Sequence, residues 1–114
     1  MAQETLDALV HEATLDLERG TDPRAPGGAV TVALCGHWEH EGACRWPHHT
    51  SISDIGSERV ARILFVAARS DVAEVRKRIR EALDSVAGWR LLQDGPAPLN
   101  DDERELARRL AGAS

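Results

Sequence analysis

Val60-Ala61-Arg62-Ile63-Leu64-Phe65-Val66-Ala67, followed closely by Ser70-Asp71-Val72-Ala73-Glu74-Val75, is the stretch whose reading decides the fold. Its first part is a short, nearly unbroken apolar run, which predicts a strand buried on both faces at the centre of a sheet. In the second part Ser70 is placed to cap a helix, and Asp71 and Glu74 suit its first turn. Val72, Val75, Ile79, Ala82, Leu83 and Val86 then recur at helical spacing up to Gly88. Trp89 to Leu92 reads as a further strand, so strand, helix and strand in this order predict a crossover to a parallel neighbour.

Working outward, Asp54-Ile55-Gly56-Ser57 is a turn, and Arg45 to Ser53 precedes it as one arm of an antiparallel hairpin. The other arm is Ala29-Val30-Thr31-Val32-Ala33-Leu34, short and β-branched, running into Cys35. Between the arms, Glu41-Gly42 is the reversal. Thr21 to Gly28, with Asp22-Pro23 and Pro26-Gly27-Gly28, reads as a loop. From Gln3 to Arg19 the apolar positions Leu6, Leu9, Val10, Ala13 and Leu17 follow helical spacing, with Gly20 placed to end the helix. At the other end Gly95-Pro96-Ala97-Pro98 breaks the chain, and Asn100 with Glu103 forms a capping box for a helix carrying Leu106 and Leu110. The expectation is a single α+β domain over residues 1–114. It is a two-layer sandwich in the order α-β-β-β-α-β-α, an antiparallel hairpin plus a β-α-β crossover, with helices on one face.

The 114 residues are 42% hydrophobic and 29% charged, an ordinary globular balance that excludes low-complexity disorder. Fourteen basic against nineteen acidic residues leave a net charge of −5, which argues against a nucleic-acid partner. Residues 1–25 are rich in Asp and Glu, and no apolar run approaches the ~18 residues of a membrane span, so the expected address is cytoplasmic with no membrane partner. The basic run Arg76, Lys77, Arg78 and Arg80 shares its helix with Asp71, Glu74, Glu81 and Asp84 and reads as a solvated face. His11 reads as structural.

One window is chemically dense. Four of the five His, both Cys and two of the three Trp fall between Cys35 and His49. Thiolate and imidazole are the preferred protein ligands of zinc, which takes four in a tetrahedron at roughly 2.0–2.3 Å. Cys35, His37, Cys44 and His48 are the first-choice set, with His40 and His49 as substitutes, for a structural or regulatory zinc. A regular hairpin would place Cys35 and Cys44 roughly 13 Å apart along the ladder, too far for one ion. The metal reading therefore predicts an irregular loop necked at the two cysteines, a geometry that also permits a disulfide. A reducing compartment favours metal. Two rival readings stand beside it. One is a small enzyme or a small-molecule-binding protein whose pocket is built from this His/Trp cluster, with a ligand near Trp38 and Trp46. The other is a protein-interaction module marked by an exposed patch containing a Trp.

Overall fold

The computed structural model describes residues 6–18, 20–22, 24–35, 46–56, 58–84 and 89–112. Along the chain it has β1 (Leu6–Leu17), α1 (Ala25–Cys35), β2 (His48–Ile55), β3 (Glu58–Ala68), α2 (Val72–Asp84), β4 (Trp89–Ala97) and α3 (Asp101–Gly112). The strands form one sheet in the order β2-β3-β1-β4, and every neighbouring pair is antiparallel. The α+β class expected from the sequence is thus present, but the helices do not all share one face: α1 and α2 cover one side of the sheet and α3 the other. Because β1 is antiparallel to both β3 and β4, those two run parallel to each other with β1 between them. The predicted β3-α2-β4 crossover exists, but it spans an inserted strand; this is the split β-α-β of a ferredoxin-like arrangement, with α3 appended.

The first two elements exchange identity relative to the sequence expectation. Residues 6–17 are a strand because Leu9, His11, Ala13, Leu15 and Leu17 repeat with period two toward one face, while Val10 fills the other. As a strand buried between two others it carries apolar residues on both sides, and that mixture imitates helical spacing. Residues 25–35, expected as loop followed by strand, form α1. Pro26 costs nothing in a first turn, where its missing N–H has no partner to lose, and Pro26, Val30 and Leu34 at four-residue spacing form its buried stripe. The antiparallel hairpin is therefore β2-β3, closed at Gly56 with φ of +62°, rather than a pairing of residues 29–35 with 45–53.

The core lies between the sheet and the α1/α2 layer. Ala13, Leu15, Ala61, Ile63, Phe65 and Ala67 meet Val30 and Leu34 of α1 and Val75, Ile79 and Leu83 of α2. Trp89 closes one end, its indole N–H donating to the Leu83 carbonyl at 2.7 Å and so satisfying a carbonyl in the last turn of α2. Helix α3 covers the opposite face, packing Ala107 on Val10 and Leu64. Arg62, on that face of β3, holds it there. Its guanidinium donates to both oxygens of Glu103 (2.9 and 2.7 Å), to Glu12 and to the Pro98 carbonyl. Glu103 closes the predicted capping box, with Asn100 N–H donating to its carboxylate at 2.9 Å and Asn100 Oδ1 accepting from Glu103 N–H at 2.8 Å.

Candidate functional site

An open sheet has two edges, and these two are built differently. The β4 edge carries Gly95 and Pro96, and its register with β1 shifts between Thr14 and Leu15. Proline, glycine and a bulge are the usual devices that keep an edge from pairing with another chain. The β2 edge has none of them. His48-His49-Thr50-Ser51-Ile52-Ser53-Asp54-Ile55 contains no Pro, Gly or Lys, and its register with β3 runs without interruption from His48↔Phe65 to Ile55↔Glu58.

The direction of its backbone groups follows from one bond. Val66 N–H donates to the Pro47 carbonyl at 3.0 Å, so Pro47 and Val66 form a hydrogen-bonded pair one step before His48↔Phe65. Antiparallel pairs alternate, so His49, Ser51, Ser53 and Ile55 turn their N–H and C=O groups toward β3. Thr50, Ile52 and Asp54 turn theirs away from the sheet, and among the described residues no strand lies beyond them. Side chains alternate in the other sense: His48, Thr50 and Ile52 lie on the α1 face, and His49, Ser51 and Ser53 on the α3 face.

Helix α1 runs beside this edge with its smallest residues toward it. Gly27, Gly28 and Thr31 line a groove of about 300 Å³ with His48, His49 and Thr50. A Cβ on Gly27 would lie 3.6 Å from the Thr50 Cβ, an ordinary contact distance, so α1 lies directly against β2 at Thr50. Thr31 Oγ1 donates to the Gly27 carbonyl at 3.0 Å and lies 3.2 Å from His48 Nε2, while His48 Nδ1 lies 3.1 Å from the Trp46 carbonyl. The Thr50 Oγ1 atom is buried with no hydrogen-bond partner among the described residues.

The zinc reading does not survive. Among the described residues no group of three or more His, Cys, Asp or Glu converges to hold a metal ion. Cys35 is the last residue of α1 rather than the neck of a strand-borne loop. His48 and His49 are successive residues of β2 and so point to opposite faces of the sheet, which disperses two of the proposed ligands. His37, His40 and Cys44, with Trp38 and the Glu41-Gly42 reversal, lie outside the described residues. Trp46 is 2% exposed, its indole N–H 3.4 Å from Asp71 and its ring under the Arg78 guanidinium at 4.9 Å, so it packs rather than lining an open pocket or marking an exposed patch.

A second polar cluster joins β1, β4 and α2. His11, 1% exposed, lies 2.7 Å from Asp94 through Nε2, and Arg76 donates to its Nδ1 at 3.0 Å; Arg80 adds a bond to Asp94 at 3.0 Å. Burial pushes the His11 imidazole below its ordinary pKa, more than the adjacent Asp94 raises it. Burial alone would raise the Asp94 carboxyl, but the bonds from Arg80 and His11 hold it below its ordinary value. An acid-oriented histidine needs its second nitrogen free to act as a general base. Here Arg76 occupies it, and the cluster is a structural tie.

No helix among the described residues is long and apolar enough to cross a membrane. No family model, curated protein or solved structure matches the chain.

The strand-pairing edge was missed in the sequence because Gly27 and Gly28 read as loop and α1 as strand. The signal that points to it is the alternation Thr50, Ile52, Asp54 ahead of a two-residue turn opening with Gly56, in a segment free of Pro and Lys.

Proposed function

We propose that this chain is a protein-recognition domain that accepts an extended polypeptide segment as an added strand on β2. The observation that carries the reading is the asymmetry of the two sheet edges: β4 is defended by Gly95, Pro96 and a register shift, whereas β2 is regular and turns the backbone groups of Thr50, Ile52 and Asp54 outward. Main-chain hydrogen bonds would supply affinity and the alternate side-chain positions specificity, the division of labour usual in strand addition. Gly27, Gly28 and Thr31 keep the side of the groove between α1 and β2 small. The acidic balance of the whole chain favours a segment that is neutral or basic.

Selection from a displayed library of random extended peptides tests this, followed by amide hydrogen exchange of the chain with a selected peptide. Slowed exchange at Thr50, Ile52 and Asp54 is expected. Thr50→Pro removes one outward donor without taking a bond from the β3 ladder, so it should abolish capture while leaving the melting profile nearly intact. Protection confined to β4 or α3, or undiminished capture by Thr50→Pro, would refute the reading.

A further inference from the structure

We infer that the segment β2 accepts is an extended basic strand, with lysine or arginine at alternate positions toward α3 and small uncharged residues toward α1; this rests on the strand-pairing reading above. What selects it is the open β2 edge set between two grooves, each lined by the first turn of a helix, and those two turns differ in charge.

An added strand sends successive side chains to opposite faces of the sheet. On the α1 face they meet the groove of about 300 Å³ whose lining includes Gly27, Gly28, Thr31 and Thr50. Helix α1 has no acidic residue in its first turn, and Asp22 just before it is already paired with Arg24 at 3.1 Å. Nothing in that lining attracts a cation, and the partial positive charge of the helix N-terminus disfavours one.

On the α3 face the side chains meet a second groove, of about 270 Å³, whose lining includes Ser51, Ser53, Arg62, Asp102 and Glu103. Here the first turn of the helix is acidic throughout, Asp101-Asp102-Glu103. Arg62 is already shared between Glu103 and Glu12. Asp101 is paired with Arg104 and Glu105 with Arg108, whereas Asp102 is exposed and has no ion pair among the described residues. Three carboxylates, Glu12, Asp102 and Glu103, thus stand against one guanidinium, and the groove is left negative.

The register carries a cation to it. Thr50, Ile52 and Asp54 turn their backbone groups outward, so an antiparallel segment forms its hydrogen-bonded pairs with them. Its remaining residues lie opposite His49, Ser51 and Ser53 in non-hydrogen-bonded pairs, where side chains come closest. Ser51 and Ser53 are short, and neighbouring strands are only ~4.8 Å apart. A lysine or arginine opposite either serine therefore extends across β2 into the groove that Asp102 lines, whereas an acidic residue there would meet like charge.

Fluorescence anisotropy of the full chain with two labelled peptides tests the inference. Both hold lysine and threonine in equal numbers over the eight residues that β2 spans. One alternates them singly; the other alternates them in pairs, which turns half of its lysines toward α1. The singly alternating peptide should bind about fivefold or more tightly, because each cross-strand or surface charge contact changes binding by a factor of roughly 1.5–5. The difference should shrink in ~1 M salt. Asp102→Asn should weaken the singly alternating peptide about threefold and Asp102→Lys about tenfold, while Glu81→Gln, which removes the same charge from α2, should leave its affinity unchanged. Circular dichroism of each variant separates lost binding from lost folding. Equal affinity for the two peptides, Asp102 variants that bind as the natural chain does, or a dimer through β2 that neither peptide dissociates would each overturn the basic-strand inference. If a library-selected peptide without alternate basic residues still slows amide exchange at Thr50, Ile52 and Asp54, the recognition reading stands and only the class of segment is wrong. If the singly alternating peptide binds without slowing exchange there, both fall.

Discussion

Glu103→Ala should destabilise the fold by about 3 kcal/mol, because one side chain closes two structures at once. It accepts both arms of the Arg62 guanidinium and caps α3 through Asn100. Charged hydrogen bonds contribute ~1.5–3 kcal/mol each when well shielded. Glu103 and Arg62 side chains are 12% and 21% exposed, so shielding is partial and the pair is taken at about 2 kcal/mol. Loss of the capping-box contact adds about 1 kcal/mol. For a domain of this size ~3 kcal/mol lowers the melting temperature by roughly 10 °C or more. Differential scanning calorimetry reads it directly, with Glu105→Ala as control, since the Glu105–Arg108 pair is exposed on both sides and should move the melt hardly at all. The bonds from Arg62 hold the Glu103 carboxyl below its ordinary pKa. A group depressed in the fold stabilises above its unfolded value, about 4.3, and loses that contribution as pH falls through the folded value. The gap between the natural chain and Glu103→Ala should therefore narrow in acid below about pH 4. A variant that melts within ~2 °C of the natural chain at neutral pH would refute the assignment of Glu103 as the tie between α3 and the sheet.

Three other outcomes follow from the same structure. His11 is depressed by burial, so it resists protonation in the fold; stability should be fullest above about pH 6.5 and decline as pH falls below it, and a flatter urea-midpoint profile in His11→Gln between about pH 7.5 and 5.5 would confirm the source. Gly27→Ala meets Thr50 only at ordinary contact distance, so it should stabilise the chain by about 0.5 kcal/mol in denaturant titration while weakening strand capture on β2; a destabilised variant would contradict the helical placement of Gly27. Trp89→Phe removes the donor to the Leu83 carbonyl and should cost about 1–2 kcal/mol, seen as a lower urea midpoint with unchanged slope.

How far the fold was legible depended on where each element sits in the layers. β3 and α2 announce themselves because one is apolar almost throughout and the other has a single clean stripe, Val75, Ile79 and Leu83, facing the core. The Asn100–Glu103 capping box likewise appears in the structure as in the sequence. β1 and α1 deceived for related reasons. β1 is covered on both faces, so its two-residue repeat was interrupted by Val10 and masked by the polar His11. α1 has apolar or small residues nearly all round and no single polar face, leaving its β-branched Val30, Thr31 and Val32 to imitate a strand. Residue types alone drew attention to Cys35–His49, but β2 separates its last two histidines by facing them in opposite directions. What carries the proposed recognition instead is backbone direction along an edge, a property set by register with β3 and invisible in composition.

The place of β1 in the sheet also governs how the chain must come into being. It is made first and lies between two strands made later: Leu15 waits for Arg59 in β3, and Leu17 for Trp89 in β4. At a synthesis rate of ~5–20 residues per second, the start of β3 emerges ~2–8 s after the end of β1, and the end of β4 ~4–16 s after it. Through that interval the future centre of the sheet has two bare edges and an apolar face. Nascent chains of this protein are therefore most prone to aggregate before any neighbour of β1 exists, and slowing synthesis after residue 17 should worsen solubility, whereas slowing it after residue 97 should not.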